Sequence, residues 1–309
     1  MNSSSSFAAD VQVRPAQLSD LPMVHALQSS LAETTVPAKA GQANWQGWKL
    51  DRQTRVAIDS CGQLIGYADL VEQQPGWFVA GVWVDRECQR QGLGTFLLQT
   101  MEAQAALLAR EDGYHLFAQA WRNQTAARRL LEKAGYDCGS TFQRMQLQLS
   151  APLPAPSLPT GIVIRPFDPT KDEWAAYQAD EEAFLDERGK QPRTLEKWRA
   201  RFQMNTPEFD PTLWFIAWDQ AQIAGIIFNH SQNNIGELMH LGVRRPWRRQ
   251  GLGMALLLHA LNTFHTRNID TIQLNVDAQS WTNAQLLYER IGFQTIDSYS
   301  NYIRNVNKS

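Results

Sequence analysis

The sequence is poor in everything that stabilises a chain from outside a core. Its three cysteines, Cys61, Cys88 and Cys138, are scattered, with no C-x-x-C pair, which argues against a disulfide framework and a zinc site alike. Bulk basic charge is missing too. A formal net charge of −2 excludes a general cationic face for nucleic acid, so any basic patch must be local. No apolar run approaches the roughly 20 residues that cross a bilayer. Residues 1–10 are serine-rich, with neither a basic n-region nor an apolar h-region; they read as a disordered lead-in, and the expected location is the cytoplasm.

What is present suits a sizeable core. A length of 309 residues with 43% apolar and 19% charged side chains fits a soluble chain of about two domains. Val11 to Pro15 reads as a short strand, and Asp20-Leu21-Pro22 opens a helix. Arg55 to Asp59, a Cys61-Gly62 turn and Leu64 to Val71 read as a hairpin. Trp77 to Val84 is a strand leading into a glycine loop and a helix, and His115 to Ala120 is the next strand. A helix from Thr125 ends at Gly135, and Thr141 to Leu149 closes the unit. The stretch 150–159 then carries four prolines in ten residues, a semi-extended linker.

After the linker the plan repeats. Arg14-Pro15 returns as Arg165-Pro166, 151 residues on; Gly92 returns as Gly251 after 159, and Gly135 as Gly292 after 157. Near-constant offsets at three landmarks mean a duplicated domain. The expected division is 1–10 lead-in, 11–149 first domain, 150–161 linker and 162–309 second domain. In each half a strand runs into a glycine loop at a helix start, as in Glu237 to Val243 followed by Arg244 to Gly253. Such a loop lets the backbone approach a phosphate, and the helix dipole favours the charge there.

Gln89-Arg90-Gln91-Gly92-Leu93-Gly94 and Arg248-Arg249-Gln250-Gly251-Leu252-Gly253 resemble the acetyl-CoA loop, Q/R-x-x-G-x-G/A, of the GNAT superfamily of N-acetyltransferases. Leu130 to Tyr136 and Leu287 to Phe293 resemble its closing helix. The likeness covers almost the whole chain as two tandem copies. It implies an α/β (α+β) fold, each half a mixed, twisted, mostly antiparallel sheet with helices on both faces. The sheet would splay beside the loop, so that pantetheine pairs with the preceding strand as an added strand would. By the same likeness the acetyl-CoA contacts fall on Leu241, Gly242 and Val243 and on Arg248 to Met254 (Arg248, Arg249, Gln250, Gly251, Leu252, Gly253, Met254). In the first half they fall on Val82 and Val84 and on Gln89, Arg90, Gln91, Gly92, Leu93 and Gly94. The family's asparagine seven residues before its tyrosine falls here on Trp281, and Asn283 is the candidate anchor.

The halves differ at three positions. Arg244 to Gln250 carries four arginines and no acid, whereas Asp85 to Gln91 sums to zero; the second loop is the better match to CoA phosphates. Tyr288, four residues before Gly292, stands where the family's tyrosine often protonates the departing thiolate; its counterpart is Leu131. Glu237 opens the strand before the loop, on one face with Met239 and Leu241 by period two. In mycothiol-synthase-like members, also tandem duplications, a glutamate at that position is the general base; the first half has Phe78. His230 and His240 are alternative bases. These positions imply a catalytic second half and a degenerate first half, moving acetyl from acetyl-CoA, with no metal, to a primary amine of a small molecule. A peptide or protein acceptor, a non-catalytic acetyl-CoA sensor and a mycothiol-synthase-like role stay open. Neither nucleic acid nor membrane is expected as a partner, and the chain is expected as a monomer or homodimer. Asp180-Glu181-Glu182 and Asp186-Glu187 read as a solvated helix face or as carboxylates that hold a cationic acceptor.

Overall fold

A β-hairpin in each half, the first of them expected from Arg55 to Val71, anchors a set of strands of identical plan. The computed structural model describes residues 11–31, 45, 47–109, 113–186, 192–279 and 284–307. In chain order the first repeat supplies β1 (Gln12–Arg14), α1 (Leu21–Leu31), α2 (Leu50–Gln53), β2 (Thr54–Ile58), β3 (Leu64–Gln74), β4 (Trp77–Val84), α3 (Leu93–Leu108), β5 (Gly113–Trp121), α4 (Thr125–Lys133) and β6 (Asp137–Gln148). The second supplies β7 (Ile162–Pro166), α5 (Glu173–Ala183), α6 (Leu195–Arg201), β8 (Phe215–Asp219), β9 (Gln222–Gln232), β10 (Ile235–Val243), α7 (Leu252–Thr266), β11 (Thr271–Asp277), α8 (Ala284–Ile291) and β12 (Gln294–Asn307).

By packing, one compact unit comprises residues 1–141 with 297–309 and the other residues 142–296. In the first, β1 to β4 pair antiparallel, β4 lies parallel to β5, and β12 closes the sheet antiparallel to β5, with Tyr299 opposite Trp121 and Asn307 opposite Gly113. In the second, β7 to β10 pair antiparallel, β10 lies parallel to β11, and β6 closes the sheet, with Phe142 opposite Asp277 and Gln148 opposite Thr271. The strand expected from 141 to 149 exists, but from residue 142 on it completes the second sheet. Alternation explains why it is a strand: Met145, Leu147 and Leu149 are buried on one face, in the core that also holds Leu274 and Phe264. Alternation is silent about which sheet edge it joins.

Both halves use the same local devices. Arg14 grips Asp20 through both carboxylate oxygens at 2.7 and 2.9 Å, and Arg165 grips Asp172 at the same two distances. Each aspartate is buried just before a helix, so each Arg-Pro pair docks its strand onto the following helix. The helix after each glycine loop is held by an apolar face. In α7 the buried residues Leu252, Ala255, Leu256, Leu257, Ala260, Leu261 and Phe264 recur at three- and four-residue spacing. Each large one contributes about 2 kcal/mol by leaving water. The linker is no free spacer: Leu153 N–H donates to Asn262 Oδ1 of α7 at 2.9 Å.

Candidate active site

The site is built on β10. Its register with β9 slips between Leu238 and His240, leaving Met239 as the extra residue of a β-bulge. The bulge reverses the alternation. A Cβ on Gly236 would strike Phe264 of α7, whereas one on Gly242 would meet Ala183 and Phe184 on the α5 side. Even-numbered residues thus change face partway along the strand, and Glu237 shares the α5 side with His240. The period-two grouping of Glu237 with Met239 and Leu241 is therefore corrected: it holds only for an unbulged strand.

The strand also leaves its parallel neighbour. β10 pairs with β11 only from Ile235 to Leu238, and β4 with β5 only from Trp77 to Val79. Arg244 N–H donates back to Ala224 O of the β9 side at 3.0 Å. Backbone groups alternate along a strand, so Val243 and Leu241 turn theirs toward the side that β11 has left. Gly242, between them, turns its own toward β9, where its carbonyl oxygen lies 3.0 Å from the position of a Cβ on Gly225.

The two loops have one conformation. Arg249 (φ 62°) and Gly251 (φ 81°) are left-handed, as are Arg90 (φ 60°) and Gly92 (φ 95°). Only the glycines adopt this at no steric cost. Ala255 N–H reaches Gly251 O at 3.0 Å, and among the described residues no backbone carbonyl accepts from the amides of 249–254. Such amides at a helix start form an anion site. Arg248 Nε donates to Val243 O at 2.9 Å and Gln89 Nε2 to Val84 O at 3.0 Å, so the first residue of each signature ties its loop to the strand end. Gln250 and Gln91 likewise bond Pro246 O and Glu87 O within their loops. Leu252 and Leu93 are buried anchors. Gly253 packs beside Leu287 of α8 and Val243, and Gly94 beside Leu130 of α4 and Val84.

The charge of the second loop is smaller than its arginines imply. Glu182 pairs with Arg244, and Asp186 with both Arg245 and Arg248. Of the four loop arginines, Arg249, exposed at the loop tip, has no ion pair among the described residues. Glu182 and Asp186 are therefore engaged by loop arginines and do not form a free solvated helix face. Asp180 is fully buried and accepts from Trp198 Nε1 at 3.0 Å, Arg193 at 3.2 Å and His240 Nδ1 at 2.9 Å. Arg201, which only donates, faces His240 Nε2 at 3.1 Å, so the imidazole proton sits on Nδ1. Glu187 lies outside the described residues, as do Trp281 and Asn283.

Glu237 sits at the fork where β10 and β11 part. Its carboxylate is 37% exposed and accepts from Arg144 of β6 at 3.0 Å. Its cross-strand neighbours are His230 on β9 and Gln273 on β11. Arg144 was missed from the sequence, where it is one polar residue among the glutamines of β6. Tyr288 is 8% exposed, with its ring edge-on to Phe293 at 5.8 Å. Burial pushes its phenol up to about 12, and its hydroxyl has no hydrogen bond among the described residues, so it stands protonated with its donor unspent. In the first half both counterparts, Phe78 and Leu131, are buried.

Residues 22–136 match the model of the acetyltransferase (GNAT) family and residues 177–305 that of the acetyltransferase (GNAT) domain. A mycothiol acetyltransferase of Streptomyces bingchenggensis is 32% identical over 254 residues, covering 80% of this chain and 79% of that relative. One from Thermobispora bispora is 35% identical over 210 residues, covering 66% and 68%. Among solved structures, a GCN5-related N-acetyltransferase from Sphaerobacter thermophilus superposes with a TM-score of 0.84 at 29% identity over 97% of each chain. A tandem GNAT protein from the clavulanic acid biosynthesis pathway gives 0.70 at 16% identity over 97% and 100%, a likeness of fold alone.

Proposed function

The chain belongs to the GNAT acetyltransferase family as a tandem of two such domains, and from there we propose that its second half moves acetyl from acetyl-CoA to the primary amine of a small molecule. The observation that carries this is the fork after Leu238: one place joins a carboxylate, an unpaired strand edge and a loop of outward amides. These groups fit acetyl-CoA. The amides of 249–254 and Arg249 suit its phosphates, and the edge at Leu241 and Val243 suits the amides of its pantetheine arm.

The chemistry is direct attack with both reactants bound. Glu237 takes the proton that the acceptor ammonium must lose, directly or through one water. A backbone N–H of the β10 edge, at Leu241 or Val243, holds the thioester oxygen as negative charge builds on it. As the amine nitrogen bonds to the acetyl carbon and the carbon–sulfur bond breaks, Tyr288 gives its phenolic proton to the departing thiolate; the nitrogen sheds its second proton to solvent, and solvent reprotonates Tyr288. The products are an N-acetyl amide and CoA thiol. The first half keeps the fork and the loop but has Phe78 and Leu131 in place of Glu237 and Tyr288, so it is read as a degenerate acetyl-CoA site.

The acceptor is a small amine, and the relatives' name makes a mycothiol precursor amine the first to test. The test offers acetyl-CoA with cysteinyl amines, amino sugars and short peptides, following loss of the thioester band and the acetylated product by mass spectrometry. Expected are turnover on a small amine and a fall of kcat of about a hundredfold or more in Glu237→Gln. Acetylated peptides only would move the reading to peptide acceptors. Calorimetric binding of acetyl-CoA without turnover on any amine would make the chain a sensor.

A further inference from the structure

Arg144 is the only charged side chain in the part of β6 that joins the second unit, and its chain is 7% exposed. One terminal nitrogen donates to Glu237 Oε1 at 3.0 Å and the other to Gln273 Oε1 at 2.5 Å. Gln273 in turn donates to Gln146 Oε1 at 2.8 Å. The remaining donor, Nε, is buried with no acceptor among the described residues. A buried guanidinium with an unmet donor is a poor stabiliser, since an apolar side chain of that volume serves as well or better. What the fork does supply is direction. It holds one oxygen of Glu237 and leaves the other for the acceptor.

The first half carries the matched control. The offset of the glycine loops sets Phe78 against Glu237, and strand register extends the match. Val79 opposes Phe117 as Leu238 opposes Leu274, so Leu116 stands for Gln273. Tyr302 opposes Ala118 as Arg144 opposes Asn275, so Tyr302 stands for Arg144. Where the second half has Glu237, Gln273 and Arg144, the first has Phe78, Leu116 and Tyr302, all within one apolar core. The three positions change together, as parts of one device.

We propose that Arg144 is the positioning residue for Glu237, so that the chemistry of the second half depends on a strand that precedes the proline linker. This rests on the reading of Glu237 as the base. A side chain in this role touches no reactant, and its loss moves the carboxylate by an ångström or so, which costs about tenfold to a hundredfold in rate.

The test is a double-mutant cycle on the full chain, with acetyl-CoA and whichever amine turns over fastest in the screen above. Arg144→Met is expected to lower kcat about tenfold to a hundredfold, with KM for acetyl-CoA and the melting temperature near those of the unaltered chain. In the Glu237→Gln background the same change should cost less than about twofold, because nothing is left to position. Arg144→Lys keeps the charge without the fork and should recover part of the rate; it also stands in if the methionine variant folds poorly. Equal losses in both backgrounds, or an unchanged kcat in Arg144→Met, overturn this proposal alone. Full activity in Glu237→Gln, or no turnover on any amine, overturns it together with the assignment of the base.

Discussion

Tyr288→Phe removes one oxygen and nothing else, which makes its consequences easy to separate. The side chain is 8% exposed and its hydroxyl has no hydrogen bond among the described residues, so no bond is lost. Deleting a hydroxyl that makes no hydrogen bond among the described residues changes stability by less than about 1 kcal/mol, and the melting temperature should hold to within about 4 °C. Turnover should behave differently. Loss of a general acid costs about 10²–10⁴ in rate, and a hundredfold fall is about 2.7 kcal/mol of barrier. A phenol pushed up to about 12 by burial gives its proton to a thiolate at its ordinary value of about 8.5 at a cost of about 5 kcal/mol. The burial that raises the phenol also raises the proton affinity of a thiolate beside it, so the transfer depends on keeping water out. Since the folded value is raised, the acid form persists as pH rises, and kcat should show no basic limb from Tyr288 below about pH 11. The assays are loss of the thioester band at saturating acetyl-CoA across pH and calorimetric affinity for acetyl-CoA. An unchanged kcat refutes the acid role. A fall in kcat that comes with an equal loss of acetyl-CoA affinity, or with a large drop in melting temperature, refutes the separation of chemistry from structure.

Two further expectations concern the frame of the site. In Gly251→Ala a Cβ would meet nothing within 4 Å, so the cost lies in the left-handed backbone, about 1–2 kcal/mol, and a displaced loop should raise KM for acetyl-CoA. Gly253→Ala places its Cβ at an ordinary 3.8 Å from Leu287 and Val243 and should change stability by less than about 0.5 kcal/mol; equal melting shifts in the two variants would refute the distinction. The Arg14 guanidinium, with help from the Gln17 amide, holds the Asp20 carboxyl below its ordinary value. Because that folded value is lowered, the stability it contributes is present above the unfolded value of about 3.9 and lost as pH falls through the folded one. Asp20→Asn should therefore lower stability at neutral pH by about 3 kcal/mol and flatten acid unfolding below about pH 4, as followed by circular dichroism; an unaltered acid limb would count against the pair.

The features legible in the residues are those that neighbours along the chain impose. A left-handed turn at Gly92 or Gly251 needs only the local backbone, and both loops have it. The Arg-Pro pair recurs at Arg14 and Arg165, though that each arginine grips an aspartate one short turn on, Asp20 or Asp172, is a contact only the fold shows. Two copies of each such signal marked the duplication, the fold family and the half that carries Glu237 and Tyr288.

Tertiary structure decided what depends on partners far along the chain. The bulge at Met239 exists only in the register against β9, and it alone sets the face of Glu237. The loop arginines look like free charge until Glu182 and Asp186, some sixty residues away, pair with them. Arg144 reaches Glu237 across 93 residues. Side-chain alternation is a property of one strand, but an edge, a ladder partner or an ion pair forms only when the chain closes on itself. The exchange of β6 and β12 is the plainest case: β6 alternates whichever sheet edge it joins, and only the closed fold decides that it completes the second unit while β12 completes the first.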